Sequence, residues 1–379
     1  MKYDYVIVGC GITGAAIARK LAETNKHVLI LERRNHIGGN MYDYVDEHGV
    51  LVHQYGPHAF HTTKKELFDF LNQFEEFEPY VLRCGAILDG KHSPTPFNFK
   101  TIDDHYSKEE AETLKQTLKD TYGERESVTI VELLSNDNPL IKEYAEFLFE
   151  NDYRPYTSKQ WGMKPEEVDV SVLKRVPVRL SYIDAYYDDE YQYMPKHSYS
   201  TLFENMLNHP NITIQLNEDA LQHLTFKENK VLFDDEEVPV IYTGPIDELF
   251  KQEYGELPYR SLRFELKHLE DSSFQEAPVV AYPFAKDYTR VTEYKKLPNQ
   301  NVKGTTIAYE YPLHYEKGKK MEPYYPLLTK ESMETYAKYE QLAKDYTNLI
   351  CCGRLGSFKY YNMDNALEEA LSIVKQLID

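Results

Sequence analysis

Three glycines in the spacing G-x-G-x-x-G occupy residues 9–14, between a largely apolar run at residues 3–8 and a helical pattern at residues 15–22. The apolar run has the composition of a buried strand, and apolar residues recur at helical spacing after the glycines. In such a unit the first glycine allows a tight turn, the second lets the backbone approach a pyrophosphate, and the third lets helix and strand pack closely. The helix N-terminus then faces the negative charge of the ligand. We therefore expect a dinucleotide to contact Gly9, Gly11, Ile12, Thr13 and Gly14.

The segment around the second strand indicates which dinucleotide binds. Residues 27–31 form another apolar run that ends at Glu32, where an acid can accept hydrogen bonds from ribose hydroxyls. A basic stretch and a glycine pair follow in residues 33–40, and this order resembles the extended fingerprint of FAD-binding proteins of the glutathione reductase group. We therefore predict FAD as the cofactor, with contacts from Glu32, Arg33, Gly38, Gly39 and Asn40.

A strand–turn–helix unit near the end of the chain supports the same prediction. Residues 349–352 form a buried apolar run, residues 353–356 follow with the sequence Gly-Arg-Leu-Gly, and Met363 opens an amphipathic helix. An arginine at this turn can add positive charge near the pyrophosphate, and the helix N-terminus can stabilise an anionic reduced flavin. Arg354 and Met363 are therefore further predicted cofactor contacts.

The chain begins and ends in strand–helix units and carries different patterns between them. Asp89-Gly90 marks a hairpin turn, residues 107–150 are helical, and short apolar runs separated by turns recur from 256 to 325. We predict an α/β fold: a discontinuous Rossmann-like FAD-binding domain of the glutathione reductase type, with an inserted helical domain and an antiparallel β-sheet domain. The predicted segments are 1–75, 196–255 and 326–379 for the FAD-binding domain, 100–170 for the helical domain, and 76–99, 171–195 and 256–325 for the antiparallel sheet domain that holds the substrate.

The charge balance limits the partners of the protein. Lysine and arginine number 43 against 62 acidic residues, so we expect no nucleic acid partner, which would need clustered cations. No apolar run approaches the ~20 residues that span a bilayer, so we expect no membrane insertion. The chain enters its first strand without a leader-like segment, which favours a cytoplasmic protein. The four cysteines fit no metal-binding spacing, so no metal site is predicted.

Seven segments, in order along the chain, resemble motifs of the bacterial UDP-galactopyranose mutase family. The most specific is Tyr-Thr-Ser-Lys-Gln-Trp-Gly at residues 156–162. The others lie at residues 55–62, 174–179, 242–248, 288–293, 323–326 and 353–356. Because these segments span nearly the whole chain, the resemblance extends well beyond the cofactor domain.

The resemblance implies an isomerase that interconverts UDP-galactopyranose and UDP-galactofuranose with no net redox change. In this family, FAD is active when reduced: its N5 atom is thought to attack the anomeric carbon and expel UDP, after which the sugar ring opens and recloses as the other ring size. The resemblance also implies an external reductant such as NAD(P)H, a homodimer, and a role in supplying furanose donors for a surface polysaccharide.

The resemblance assigns further site residues. By this resemblance, Arg175 and Arg290 match the arginines that hold the diphosphate. Their planar, permanently charged guanidinium groups suit phosphate oxygens. Together with His61 they are the predicted catalytic residues. Predicted substrate contacts are Tyr156, Trp161, Arg175, Tyr186, Arg290, Tyr324, Tyr360 and Asn362. Further predicted cofactor contacts are Tyr55, Gly56, His58, His61, Thr243 and Gly244.

This sequence departs from the family pattern where the nucleotide and the sugar are expected. Asn362 replaces a common acid, Ala281 stands where an asparagine is common, and Leu82 lies where the family often has another asparagine. The same chemistry on UDP-N-acetylgalactosamine, UDP-arabinose or dTDP-fucose is therefore an alternative. An FAD-dependent oxidoreductase and a non-catalytic FAD-binding protein are alternatives of other classes.

Overall fold

The parallel sheet predicted around the glycine motif is present. In the computed structural model, which describes residues 2–161 and 176–378, five strands run parallel. Their order across the sheet is Ile212–Leu216, Val28–Glu32, Tyr5–Val8, Val240–Tyr242 and Leu349–Cys351. Since these strands come from the beginning, the middle and the end of the chain, the unit that they form is discontinuous.

Alternate residues of the parallel sheet point into two separate hydrophobic cores. Ile7 packs with residues of the helices Ile12–Glu23 and Met363–Ile378, whereas its neighbour Val6 packs with residues of the helix Lys330–Lys344 on the other face. The side-chain period of two in a strand explains this division. The sheet is therefore covered on both faces, which is typical of doubly wound α/β folds.

The second sheet has seven strands and is antiparallel except at one pair. Its order is Tyr325–Pro326, Tyr259–Leu269, Thr305–His314, Arg290–Glu293, Val279–Ala281, Cys84–Leu88 and Lys91–Thr95. The neighbours Val279–Ala281 and Cys84–Leu88 run parallel, so the sheet is mixed where a purely antiparallel one was predicted. The hairpin turn predicted at Asp89-Gly90 is confirmed: both residues have positive φ, which a two-residue type I′ turn requires.

A helical part with its own hydrophobic core follows the hairpin. Its helices begin where the sequence supplies caps: Ser107 and Thr129 each form a capping box, and Asn138 caps a helix that starts with proline. The elements are the helices Phe99–His105, Lys108–Tyr122, Ile130–Leu134, Pro139–Leu148 and Arg154–Trp161, with the π-helical turn Phe149–Tyr153 before the last of them.

Strand pairing differs from the predicted grouping between residues 176 and 195. Val178–Arg179 pairs with Ser127–Val128, beside the helical part. Tyr191–Pro195 pairs with Phe60–Thr62 and Phe77–Pro79 in a separate three-stranded sheet. In its described portion this segment therefore adds no strand to the seven-stranded sheet, and instead connects the helical part to the cofactor unit.

Shorter elements complete the described chain. They are Gly39–Met41, Asp43–Val45, Leu51–His53, Lys65–Leu71, Tyr199–Leu207, Ala220–Gln222, Leu224–Lys227, Lys230–Phe233, Glu236–Glu237, Ile246–Leu249 and Gly353–Gly356. Within residues 2–161 and 176–378, no helix has the length and the apolar character needed to cross a membrane.

Candidate cofactor cleft and active site

A cleft opens at the carboxyl ends of the central parallel strands, where α/β sheets bind ligands. Most of the predicted cofactor contacts line it. They are Gly9, Gly11, Ile12, Thr13, Gly14, Glu32, Arg33, Gly38, Gly39, Asn40, His58, Thr243, Gly244, Arg354 and Met363. Two predicted substrate contacts, Tyr324 and Asn362, line the same cleft.

Three glycines of the cleft, Gly9, Gly14 and Gly39, occupy positions where a side chain cannot fit. Gly9 has φ +100°, and a Cβ there would overlap with the hydroxyl of Thr243. A Cβ on Gly14 would overlap with the Gly9 carbonyl oxygen, so this glycine allows the helix to pack against the turn. A Cβ on Gly39 would lie 2.8 Å from the Cα of Gly11. The two glycine segments therefore form a backbone-lined cradle at the floor of the cleft.

Glu32 is fixed by backbone amides at the end of its strand. Its carboxylate oxygens accept hydrogen bonds from the amides of Cys10, at 2.8 Å, and Arg34, at 2.9 Å. The Arg34 guanidinium pairs with Glu322 at 2.7 Å and lies 4.3 Å from the ring centroid of Tyr55. Tyr55 does not line the cleft; it supports Arg34 from behind. The predicted cofactor contact at Tyr55 therefore remains a prediction.

His58 places an uncharged imidazole at the cleft wall. Its amide donates to His53 Nδ1 at 3.0 Å, and its own Nδ1 lies 2.8 Å from the Gly56 carbonyl oxygen. Since a carbonyl only accepts, we assign the proton to Nδ1, which leaves Nε2 as an acceptor. Burial, followed by the neighbouring His53, lowers the pKa of His58 to about 3. Gly56 turns the chain at φ +94° and packs on Phe264 without lining the cleft.

Arg290 lies in the seven-stranded sheet next to the cleft. Its Nε donates to Glu310 Oε2 at 2.7 Å, and Glu310 is only 2% exposed. Burial opposes the charge, but Glu310 outweighs it and raises the pKa of Arg290 well above its ordinary value. Tyr156 and Tyr325 are among the groups that act on this charge. The guanidinium is therefore held in place, and its two terminal nitrogens make no hydrogen bond to residues 2–161 or 176–378.

Tyr325 is a candidate site residue that the sequence analysis did not name. Its ring stacks on Tyr360 at 4.6 Å, and the guanidinium of Arg354 lies 4.4 Å from its centroid. Arg354 is itself held by the carbonyl oxygens of Tyr324 and Tyr361. The prediction chose Tyr324, which lines the cofactor cleft. The signal that could have separated them is strand alternation, because adjacent strand residues point to opposite faces.

His61 lies behind the substrate region and does not line the cleft. Its Nδ1 is 2.7 Å from Asp189 Oδ2, and its ring stacks on Tyr187 at 3.5 Å. Burial raises the pKa of Tyr187, while Arg290 lowers it, so this phenol lies within the electrostatic reach of Arg290. His61 is thus one aromatic ring away from the arginine site. Its predicted catalytic and cofactor roles remain predictions.

Lys159 connects two parts of the site. Its Nζ donates to the carbonyl oxygens of Tyr282, at 2.8 Å, and Ala285, at 2.7 Å, in the loop before the Arg290 strand. Burial lowers its pKa to about 8. Lys159 therefore joins the helix Arg154–Trp161, which carries Tyr156, to the strand that carries Arg290.

The structure describes some of the remaining predicted residues and not others. Arg175 lies outside the described residues, and so does the side chain of Trp161, which ends its helix. The amide of Tyr186 donates to the Leu82 carbonyl oxygen. Ala281 pairs with Arg290 across the sheet, so the departure from the family pattern at this position lies next to the arginine site.

Two family models match the chain. The model described as UDP-galactopyranose mutase matches residues 151–360, and the model described as NAD(P)-binding Rossmann-like domain matches residues 7–74. A flavin-containing amine oxidase A from Bos taurus is 42% identical, but over only 57 residues and 13% of this chain. The mutase model covers more than half of the chain, including the helix Arg154–Trp161 and five of the seven strands of the second sheet.

Curated relatives match over their whole length. A UDP-galactopyranose mutase of Mycoplasma genitalium is 38% identical, covering 100% of this chain and 95% of that protein. A dTDP-fucopyranose mutase of Escherichia coli is 37% identical, covering 98% of each chain.

Solved structures agree on the fold. The crystal structure of a reduced UDP-galactopyranose mutase gives a TM-score of 0.66 at 15% identity, covering 100% of this chain and 96% of that one. A putative protoporphyrinogen oxidase from Exiguobacterium also gives 0.66 at 13% identity, covering 100% and 99%. At these identities the likeness describes the fold alone, so the reaction class comes from the family model and the full-length relatives. By these matches, the chain belongs to the UDP-galactopyranose mutase family, a family of isomerases.

Proposed function

We propose that this chain interconverts UDP-galactopyranose and UDP-galactofuranose, with FAD as its resident cofactor in the reduced state. The observation that carries the proposal is the position of Arg290, next to a dinucleotide cleft and within a group of tyrosines. A reaction in which a diphosphate leaves and returns requires fixed cations beside the cofactor, and this arrangement supplies one.

The residues of the cleft fit FAD. The cradle of Gly11 and Gly39 exposes backbone where a pyrophosphate can approach, and Glu32 stands at the strand end where a ribose is expected. Bound FAD supplies, when reduced, a nucleophilic nitrogen for the anomeric carbon. The helix Met363–Ile378 begins at the cleft wall, so its N-terminus favours negative charge there.

Arg290 holds the diphosphate in this proposal. Glu310 occupies its Nε, so the two terminal nitrogens can bind phosphate oxygens without a change in the plane of the guanidinium. Tyr325, whose ring stacks on Tyr360, is among the groups that act on this charge. Arg175 is the proposed second cation, by its match to the family motif.

His58 contributes an acceptor without a charge. Because its pKa is about 3, the imidazole is neutral at pH 7 and accepts a hydrogen bond at Nε2 from a donor in the cleft. Because the ring is neutral, the backbone amides and the helix N-terminus would stabilise the negative charge of a reduced cofactor. We therefore infer that His58 orients the cofactor or the sugar and is not a general acid.

The test is an anaerobic chromatographic assay with UDP-galactofuranose, run on chemically reduced protein beside an oxidised control. We expect the pyranose to form only in the reduced sample. Arg290→Ala should lower turnover at least ~100-fold, since the loss of a charged diphosphate contact weakens both binding and the transition state. Unchanged turnover in Arg290→Ala would refute the proposed diphosphate site. No conversion by reduced wild-type protein that still binds UDP would refute UDP-galactose as the substrate.

The dTDP-fucopyranose mutase among the relatives supports a second candidate substrate, dTDP-fucose. Its identity to this chain, 37%, is indistinguishable from that of the UDP-galactopyranose mutase, 38%, so the same assay should include dTDP-fucofuranose. NAD(P)H as reductant, a homodimer, a cytoplasmic location and a role in polysaccharide biosynthesis belong to the same proposal. The domain boundaries predicted from the sequence also remain predictions.

A further inference from the structure

Asp152 carries a buried carboxyl oxygen that the proposed reaction does not use. Its Oδ1 is covered by protein, and neither carboxyl oxygen makes a hydrogen bond to any of residues 2–161 or 176–378. Buried polar side chains nearly always have a partner, so an orphan of this kind requires an explanation. The residue as a whole is only half-buried, and its other oxygen, Oδ2, is not covered in this way, so a ligand can reach the carboxyl group through Oδ2.

The turn that holds Asp152 is fixed on both sides. Asn151 donates from its side-chain amide to the Phe147 carbonyl oxygen at 2.8 Å, and the Tyr153 hydroxyl donates to the Val176 carbonyl oxygen at 2.8 Å. Tyr153 is buried in the core of the helical part. The backbone here is a π-helical turn, a conformation found frequently at functional sites. The backbone position of Asp152 is therefore fixed by its two neighbours.

Asp152 lies on the substrate side of this turn. It precedes Tyr156 by four residues, so the two side chains lie on one face of adjoining helical turns. Burial raises the pKa of Tyr156, Arg290 opposes this, and Asp152 adds to it, so both charged groups act on the same phenol. Arg290 also acts on His58 at the cofactor cleft. The groups therefore run from the cleft through Arg290 and Tyr156 to Asp152.

The positions of Arg290, Tyr156 and Asp152 indicate the direction in which a nucleotide sugar would bind. If Arg290 holds the diphosphate and the sugar points toward the cofactor, the nucleoside must extend the other way, toward Tyr156 and Asp152. This step rests on the proposed function. No cation among the described residues offsets the carboxyl, and burial raises the pKa of Asp152 to about 7. Protonated or not, the group still offers an oxygen acceptor.

We propose that Asp152 selects the nucleobase by accepting a hydrogen bond from the imide N3–H of uracil or thymine. UDP and dTDP, the nucleotides in the names of the two full-length relatives, share this imide. The carboxyl would obtain in the complex the partner that it lacks in the free protein.

The experiment compares the affinities of UDP and N3-methyl-UDP, which lacks the imide proton, by calorimetric titration of the FAD-loaded enzyme. We expect wild-type protein to bind UDP at least about tenfold more tightly than the methylated probe, as is usual for a hydrogen bond to a buried carboxyl group. In Asp152→Ala the ratio should fall to about one. Glu150→Gln is the matched control, because Glu150 is an exposed acid of the same turn, and its ratio should equal that of wild type.

Asp152→Leu provides a second variant of similar volume, in case the alanine variant does not fold. The inference is overturned if either folded variant keeps the wild-type ratio, or if wild-type protein does not distinguish the two nucleotides. A wild-type enzyme that binds neither nucleotide would refute the proposed function instead. A lowered ratio confined to the Asp152 variants would support the inference.

Discussion

Neighbouring tyrosines of one short segment have different environments in this protein. Tyr324 is 5% exposed, lines the cofactor cleft and lies near the rings of Tyr55 and Phe264. Tyr325 faces the opposite way, against Tyr360 and the arginines. A motif match alone does not separate them, since both belong to the same tetrapeptide. The extended backbone separates them, because the side chains of consecutive residues in an extended chain point to opposite sides.

The tyrosine pair yields a prediction at the residue scale. Tyr325→Phe should weaken UDP binding about tenfold, because the phenol beside Arg290 is lost while the ring stack remains. Tyr324→Phe should leave UDP binding within about twofold and should change the flavin absorption spectrum or FAD retention. Titration with UDP and the visible spectrum measure the two effects. If UDP affinity fell in Tyr324→Phe and not in Tyr325→Phe, the assignment of Tyr325 would be wrong.

At the scale of elements, the helix Arg154–Trp161 is positioned by a side chain from its own motif. Lys159 reaches across to the loop before the Arg290 strand and donates to two of its carbonyl oxygens. The helix also packs against the strand Thr305–His314, which supplies the Glu310 partner of Arg290. Tyr156 and Arg290 therefore keep their separation only while these elements stay joined. Lys159 is thus a positioning residue.

The corresponding prediction concerns the KM of the proposed mutase. Lys159→Met should raise the KM about tenfold with a smaller change in kcat, because the substrate groups lose their alignment while the cofactor cleft is untouched. Lys159→Arg should restore part of the affinity, since it keeps donors in place. Lys344→Met, at an exposed lysine of a helix remote from Arg290, is the control and should match wild type. An equal rise in KM for the control would show that the effect is not specific.

At the scale of the whole molecule, two buried histidines link the cofactor cleft to acid stability. Burial lowers the pKa of His53 and of His58 to about 3, well below the ordinary value of 6.5. Between pH 6.5 and 3 the unfolded chain therefore binds more protons than the folded one. Stability falls as the pH is lowered through this window, by up to about 1.4 kcal/mol per pH unit for each group.

We therefore expect the free energy of unfolding to depend less steeply on pH in His53→Leu than in wild type between pH 6 and 4. Urea titrations at several pH values measure this slope independently of any absolute loss of stability. His48→Asn removes an exposed histidine and should leave the slope unchanged. A wild-type slope in His53→Leu would mean that His53 is protonated in the folded protein.

The sequence by itself determined the cofactor unit, because local rules act there. The glycine spacing, the buried strands and the acid at Glu32 are encoded within a few residues of one another, and the cleft contains nearly every residue predicted from them. The hairpin turn at Asp89-Gly90 is equally local, and the structure has it where it was predicted.

The tertiary structure alone decided which side chains meet around Arg290. Tyr156, Glu310 and Tyr325 come from three separate elements, and they act together on Arg290 because of how sheets and helices pack. The same holds for residues 176–195, whose strands pair with partners far along the chain. Local sequence encodes strand and helix preference, but it does not encode the choice among distant partners, since that choice is made by the burial of whole faces. The proposed substrate site therefore emerged only from the assembled fold.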